Sequence, residues 1–195
     1  MGRRLARWLY LAAVLVSIAS CTPDKPSIST ATPVPARQPV ADKPPYVCYF
    51  IPQMAVAELT GYTGQYTAGP SKRSDVGDSC AVTNDVQSIL VTGYDRSADQ
   101  KVLDNYIKGK EKEERVKLPA ELGMGEIGND EIRGYPFRAA AVWFRCGNKS
   151  PLIRIYIKKN TSRDQDHDLI QLMQIAQRRF AEMFKCKPDG PPPGK

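Results

Sequence analysis

The cysteines, the single histidine and a knot of aspartates are the residues of this chain whose types could do chemistry, and their spacing limits what kind. Cys21, Cys48, Cys80, Cys146 and Cys186 stand far apart, and no two form the Cys-x-x-Cys pair on which zinc sites are built. Asp164, Asp166, His167 and Asp168 crowd together, and carboxylates beside an imidazole could hold a cation. The same residues open a long helical pattern, where aspartates cap free N–H groups and complement the helix dipole. Capping is therefore their expected role, with Thr161 or Ser162 just upstream fitting the same account. Serine or cysteine hydrolysis lacks a Gly-x-Ser-x-Gly elbow and a second histidine. Gly123-Met-Gly-Glu-Ile-Gly128 is a literal G-x-G-x-x-G, but Leu118-Pro-Ala-Glu121 before it is no hydrophobic strand and no helical run follows. A glycine-rich turn is expected there rather than a dinucleotide site. No catalytic residue, no metal and no cofactor is assigned.

Cys21 differs from the other four thiols in what precedes it. Arg3, Arg4 and Arg7 lead into an apolar run from Trp8 to Ala19 and then Ile18-Ala19-Ser20-Cys21. A cationic start, a short apolar core and small residues at the cut describe a secretory signal peptide over residues 1–20. A run of twelve residues falls short of the ~20 that span a bilayer as a helix. Ile-Ala-Ser-Cys resembles the bacterial lipobox. That resemblance implies that Cys21 takes a diacylglyceryl group, with acyl chains such as palmitate. It then becomes the first residue of a lipoprotein anchored at the extracytoplasmic face of the cell membrane.

Removing residues 1–20 takes three arginines and no acid, which leaves 25 basic and 21 acidic side chains and lowers the net charge from +7 to +4. A nucleic-acid footprint wants a stronger, clustered excess, so no nucleic-acid partner is expected. A modest attraction to anionic envelope polymers or lipid headgroups remains open. In an exported chain the four other cysteines read as two disulfides. Of three possible pairings, Cys48–Cys80 and Cys146–Cys186 are preferred, because each closes a loop within one half of the domain. Loops of this size contribute about 3–4 kcal/mol each by restricting the unfolded chain.

These side chains need elements to position them. Residues 21–46 hold seven prolines and almost no large apolar side chains, the composition of a disordered tether that could reach up to ~75 Å at ~3 Å per residue. Residues 188–195, rich in Pro and Gly, read as a disordered tail, and 47–187 as one domain. Within it a first helix is predicted over Pro52–Leu59, stopped by Gly61. A loop follows, then short strands over Cys80–Thr83 and Ser88–Tyr94 around Asn84-Asp85. A helix over Asp99–Lys110 carries Val102, Leu103, Tyr106 and Ile107 on one stripe. Phe137–Arg145 and Leu152–Lys158 form a hairpin around Gly147–Pro151, and Asp166–Lys185 is the longest helix. The fold class that follows is α+β: a two-layer domain with an antiparallel sheet of four to five strands, helices on one face, and two disulfides.

Alternation in the hairpin separates two faces. With Ala140, Val142, Phe144, Ile153, Ile155 and Ile157 in the core, the opposite face carries Trp143, Arg145, Arg154, Tyr156 and Lys158 around Ala139 and Ala141. Flat aromatics suit sugars or apolar groups, and the cations suit phosphate or carboxylate, so these five form a candidate ligand face. The competing reading is that loops or the tether cover it.

Taken together, Cys21, the tether, Cys48 in Cys-Tyr-Phe-Ile-Pro-Gln, Cys80 in Ser-Cys-Ala-Val, and Gly128-Asn-Asp-Glu131 as a mid-domain turn resemble small actinobacterial cell-envelope lipoproteins. Val82 departs from the aromatic common two residues after the second cysteine of that family. The resemblance implies a sensor-like extracellular domain that binds rather than catalyses. The expected function is thus a noncatalytic binding or interaction module at the cell envelope. Its partners would be the membrane, through the anchor on Cys21, and a cell-wall polymer, small ligand or envelope protein. The alternative is an envelope hydrolase with an unrecognised carboxylate-based site.

Overall fold

The computed structural model describes residues 37–73, 77–107 and 115–192. The signal segment, Cys21 and the tether up to residue 36 lie outside the described residues. Short strands β1 (Tyr46–Val47) and β2 (Ile51–Pro52) pair with each other, and a single 3-10 turn leads into α1 (Val56–Thr60). The predicted first helix is therefore shorter at its start, and Gly61 ends it in the left-handed conformation. Then come β3 (Thr67–Arg73), β4 (Gly77–Thr83), β5 (Ser88–Asp95), α2 (Gln100–Ile107), β6 (Val116–Lys117), β7 (Met124–Ile132), β8 (Tyr135–Trp143), β9 (Leu152–Lys158) and α3 (Gln165–Phe184).

Seven strands form one antiparallel sheet in the order β3-β4-β5-β9-β8-β7-β6. Each half of the chain makes a meander, and the two join where Leu90 of β5 faces Ile157 of β9. Class, antiparallel pairing and two disulfides agree with the sequence reading, but four to five strands is too few. The strands missed are those without an apolar signature. Edge strand β3 contains Pro70 and a register shift between Pro70 and Lys72, both tolerated only where one side of the ladder is free.

The expected glycine-rich turn is likewise a strand, β7. A Cβ at Gly125 would meet the Ala141 carbonyl oxygen at 2.2 Å, so glycine permits close strand approach there rather than a turn. Gly128-Asn-Asp-Glu131 runs along β7 opposite Ala139 to Pro136. The reversal comes at Arg133-Gly134, both at positive φ, a two-residue hairpin.

The two-layer expectation also needs correction. On one face α1 and α3 cover Leu90, Ala140, Val142, Ile153, Ile155 and Ile157 in a core that reaches Phe50, Phe144 and Phe180. On the other, α2 seats Leu103, Val102 and Tyr106 against Ala141, Leu152 and Trp143. Leu152 shares the parity of Arg154 and Tyr156, so that face has an apolar end for a helix to bury. The molecule has three layers there.

The ends of the domain are longer than expected. Residues 37–46, read as tether, lie along α3: the Val40 amide donates to Gln171 Oε1 at 2.9 Å, and Val40 is buried in the core. Arg37 meets Asp164 at 2.6 Å, and Asp42 meets Arg178 at 2.7 Å. The tail is held too, because Cys186 is joined to Cys146 beside backbone that β8 leaves unpaired. The Asp189 amide donates to the Arg145 carbonyl, and the Arg145 amide to Gly190, each at 3.0 Å.

Candidate functional site

Arg154 is the centre of the sheet face opposite the main core. It stands on β9 across from Gly93 and Ala141, and its side chain is only 13% exposed. Gly93 explains how so large a group lies flat: a Cβ there would come within 2.8 Å of the guanidinium. Tyr106 of α2 covers it from above, with the guanidinium carbon 4.2 Å from the ring centroid, a cation–π contact. Asp95, at the end of β5, approaches it to 3.7 Å. The cation is thus held between glycine backbone and a phenol ring, with a carboxylate alongside.

Tyr156 follows two residues later on the same face, between Val91 and Ala139. Burial pushes its hydroxyl up to about 12, against a smaller opposing pull from the Arg154 charge. The phenol therefore stays protonated in all ordinary conditions and can donate as well as accept. Beside these groups a hollow of about 230 Å³ opens over Ser79, Val91 and Gly93. Small-molecule pockets usually run ~300–1,000 Å³, so the space suits one ring or one headgroup.

The five residues expected on this face do not all meet. Arg154 and Tyr156 are brought together at the hollow. Trp143 packs in the α2 cluster and donates from Nε1 to the Ser150 carbonyl at 3.2 Å, so it lies beside the site and not within it. Arg145 falls beyond β8 and pairs with Asp189. Lys158 faces Phe137 at the far end of β9. Alternation in the strands gives the face of a side chain but not its distance along it, which is why two of the five meet at the hollow. Asp95, Tyr106 and Gly93 were missed as site residues. Gly93 inside a strand pattern signals close approach by another group.

The aspartates at the start of α3 are placed by structure. Asp164 is the N-cap and accepts from the His167 amide at 3.1 Å; Ser162 instead donates to Asn160. Its carboxyl is held below the usual range, first by the Arg37 hydrogen bond, with the His167 amide adding to it against burial. Asp166 takes two bonds from Arg138, at 2.6 and 3.0 Å. Asp168 is wholly buried and takes two from Arg163, at 2.8 and 2.6 Å. Among the described residues no three His, Cys, Asp or Glu side chains are grouped to hold a metal, and no helix is long and apolar enough to cross a membrane. The remaining cysteines are joined as Cys48–Cys80 and Cys146–Cys186, with Cα separations of 5.1 and 5.3 Å. Compared with protein-family models, with curated proteins and with solved structures, the chain finds no match in any of the three.

Proposed function

We propose that this chain is a lipoprotein of the kind its N-terminus and cysteine spacing resemble, anchored through Cys21 at the extracytoplasmic face of the cell membrane, and that its domain binds a small group of the cell envelope without transforming it. The observation that supports binding is the hollow at Arg154. A stacked cation, a protonated phenol and the half-buried Val91 line a space for a single ring. Of the carboxylates near it, Asp78 accepts from the Tyr94 hydroxyl at 2.8 Å, and Asp95 approaches Arg154 loosely at 3.7 Å. A ligand bearing a sugar ring with an acidic substituent matches this set best.

Titration of the mature protein with soluble cell-wall fragments, followed by the fluorescence of Trp143 beside α2, tests the reading. Saturable change with acidic fragments, weakened about tenfold or more in Arg154→Ala by loss of a charged hydrogen bond, is the expected result. A flat response to every fragment removes it.

A further inference from the structure

The end of the molecule where α3 stops carries charge that the hollow does not use. Cys146–Cys186 draws together the loop after β8 and the residues that follow α3. Lys185 and Lys187 flank Cys186, Arg145 precedes Cys146, and Lys149 shares a backbone bridge with Cys146, its carbonyl accepting from the Cys146 amide at 2.8 Å. Four cations thus sit within three residues of one cystine. Arg145 is paired with Asp189; Lys149, Lys185 and Lys187 are exposed and enter no ion pair with a described residue. Lys185, at the C-cap of α3, also complements the helix dipole. No such account covers Lys149 and Lys187. Like charges gathered by a covalent link repel one another unless a counter-charge is supplied.

The strap lies along the same helix. Residues 37–46 run parallel to α3, from Arg37 at Asp164 to Tyr46, whose ring lies 4.2 Å from the Arg179 guanidinium. The chain coming from Cys21 therefore joins the domain at the start of α3. The cystine is at the other end of that 20-residue helix, about 30 Å away at 1.5 Å per residue.

We propose that the lysine cluster at Cys146–Cys186 is a docking surface for a phosphate-bearing polyanionic polymer, whose repeated negative charges would meet the three exposed lysines together. The anionic bilayer surface is the competing source of such charge, and the test separates the two.

The full mature chain is tested against long-chain inorganic polyphosphate and, separately, against phosphatidylglycerol vesicles. Two variants are compared: Lys149→Gln/Lys185→Gln/Lys187→Gln, and a control of equal charge change on exposed cations elsewhere, Lys43→Gln/Lys101→Gln/Lys159→Gln. Intact disulfides by mass and unchanged near-ultraviolet dichroism confirm that each is folded. Polyphosphate should bind the wild-type chain with affinity falling as salt rises. The cluster variant should lose about tenfold and flatten the salt slope, while the control stays within about twofold of wild type. Equal losses in both variants would show that net charge alone is responsible. Absence of polyphosphate binding, or stronger binding to vesicles that is lost in the cluster variant, would also overturn the proposal. A lack of lipid on Cys21 would not touch the proposal, because the polyphosphate result is read without the membrane.

Discussion

At the level of single residues, the buried charges are the most consequential feature. Asp168 is wholly inaccessible and Arg163 nearly so. Their two-bond pairing is extended by Arg163 Nη2, which donates to the Gln38 carbonyl at 3.0 Å. One guanidinium therefore joins the start of α3 to the strap. Removing the carboxylate leaves a buried cation uncompensated, which costs about 3–5 kcal/mol. Asp168→Ala should lower the unfolding midpoint in urea by an amount matching that range, and faster amide exchange should be seen at residues 38–42 as well as in α3. A loss below 1 kcal/mol would mean that water reaches Arg163. The same reasoning separates Arg154 from Arg163. Arg154 is stacked on Tyr106 and only loosely approached by Asp95, so it retains hydrogen-bonding capacity that Arg163 has spent.

At the level of elements, the strap behaves as part of the fold. Two carboxylates fasten it. Asp42 is raised by burial, but hydrogen bonds from Tyr46 and Arg178 outweigh this and hold it below its usual value. Asp164 is lowered first by Arg37. In the unfolded chain such groups titrate near 4. A carboxyl with a depressed folded pKa contributes stability that is complete above that value and lost as pH falls through the folded one. The strap should therefore hold through neutral and mildly acidic pH and loosen below about 4. Protection of the Val40 amide, normalised to its intrinsic exchange rate and compared with that of Leu172, reports this directly. Equal decay of both amides would show that the whole domain opens together. Because Arg37 is 72% exposed, the effect is screened and should shrink in high salt.

For the whole molecule, the decisive question is how it is held. The proposed anchor predicts that membrane-extracted protein begins at Cys21, with an added mass of a diacylglyceryl group. Cys21→Ala should leave a chain without the diacylglyceryl mass and, where the first twenty residues are removed, one that no longer partitions with membranes. An unmodified N-terminus in the wild-type protein would sink the anchor while leaving the fold and the hollow untouched. If it stands, fifteen residues separate Cys21 from Arg37, a span of at most about 50 Å at ~3.1 Å per residue. That is less than the whole Pro-rich stretch would allow.

Local pattern alone was enough for what depends on neighbours in the chain: the β8–β9 hairpin, the core face of Ile153, Ile155 and Ile157, the stripe of α2, the long helix α3 and its aspartate cap. Each is written as a period or a cap in consecutive residues. Tertiary contact decided the rest. Strands β3, β6 and β7 carry Pro, Gly and charged residues that read as loops, and they are strands because a neighbouring ladder supplies their hydrogen bonds. Val40 is core because α3 lies beneath it, and Pro188 is ordered because a cystine brings it to Cys146. The hollow unites Gly93, Tyr106 and Arg154 from β5, α2 and β9. Strand parity can say that Gly93 and Arg154 share a face, but only the register of β5 on β9 and the docking of α2 can set them against one another.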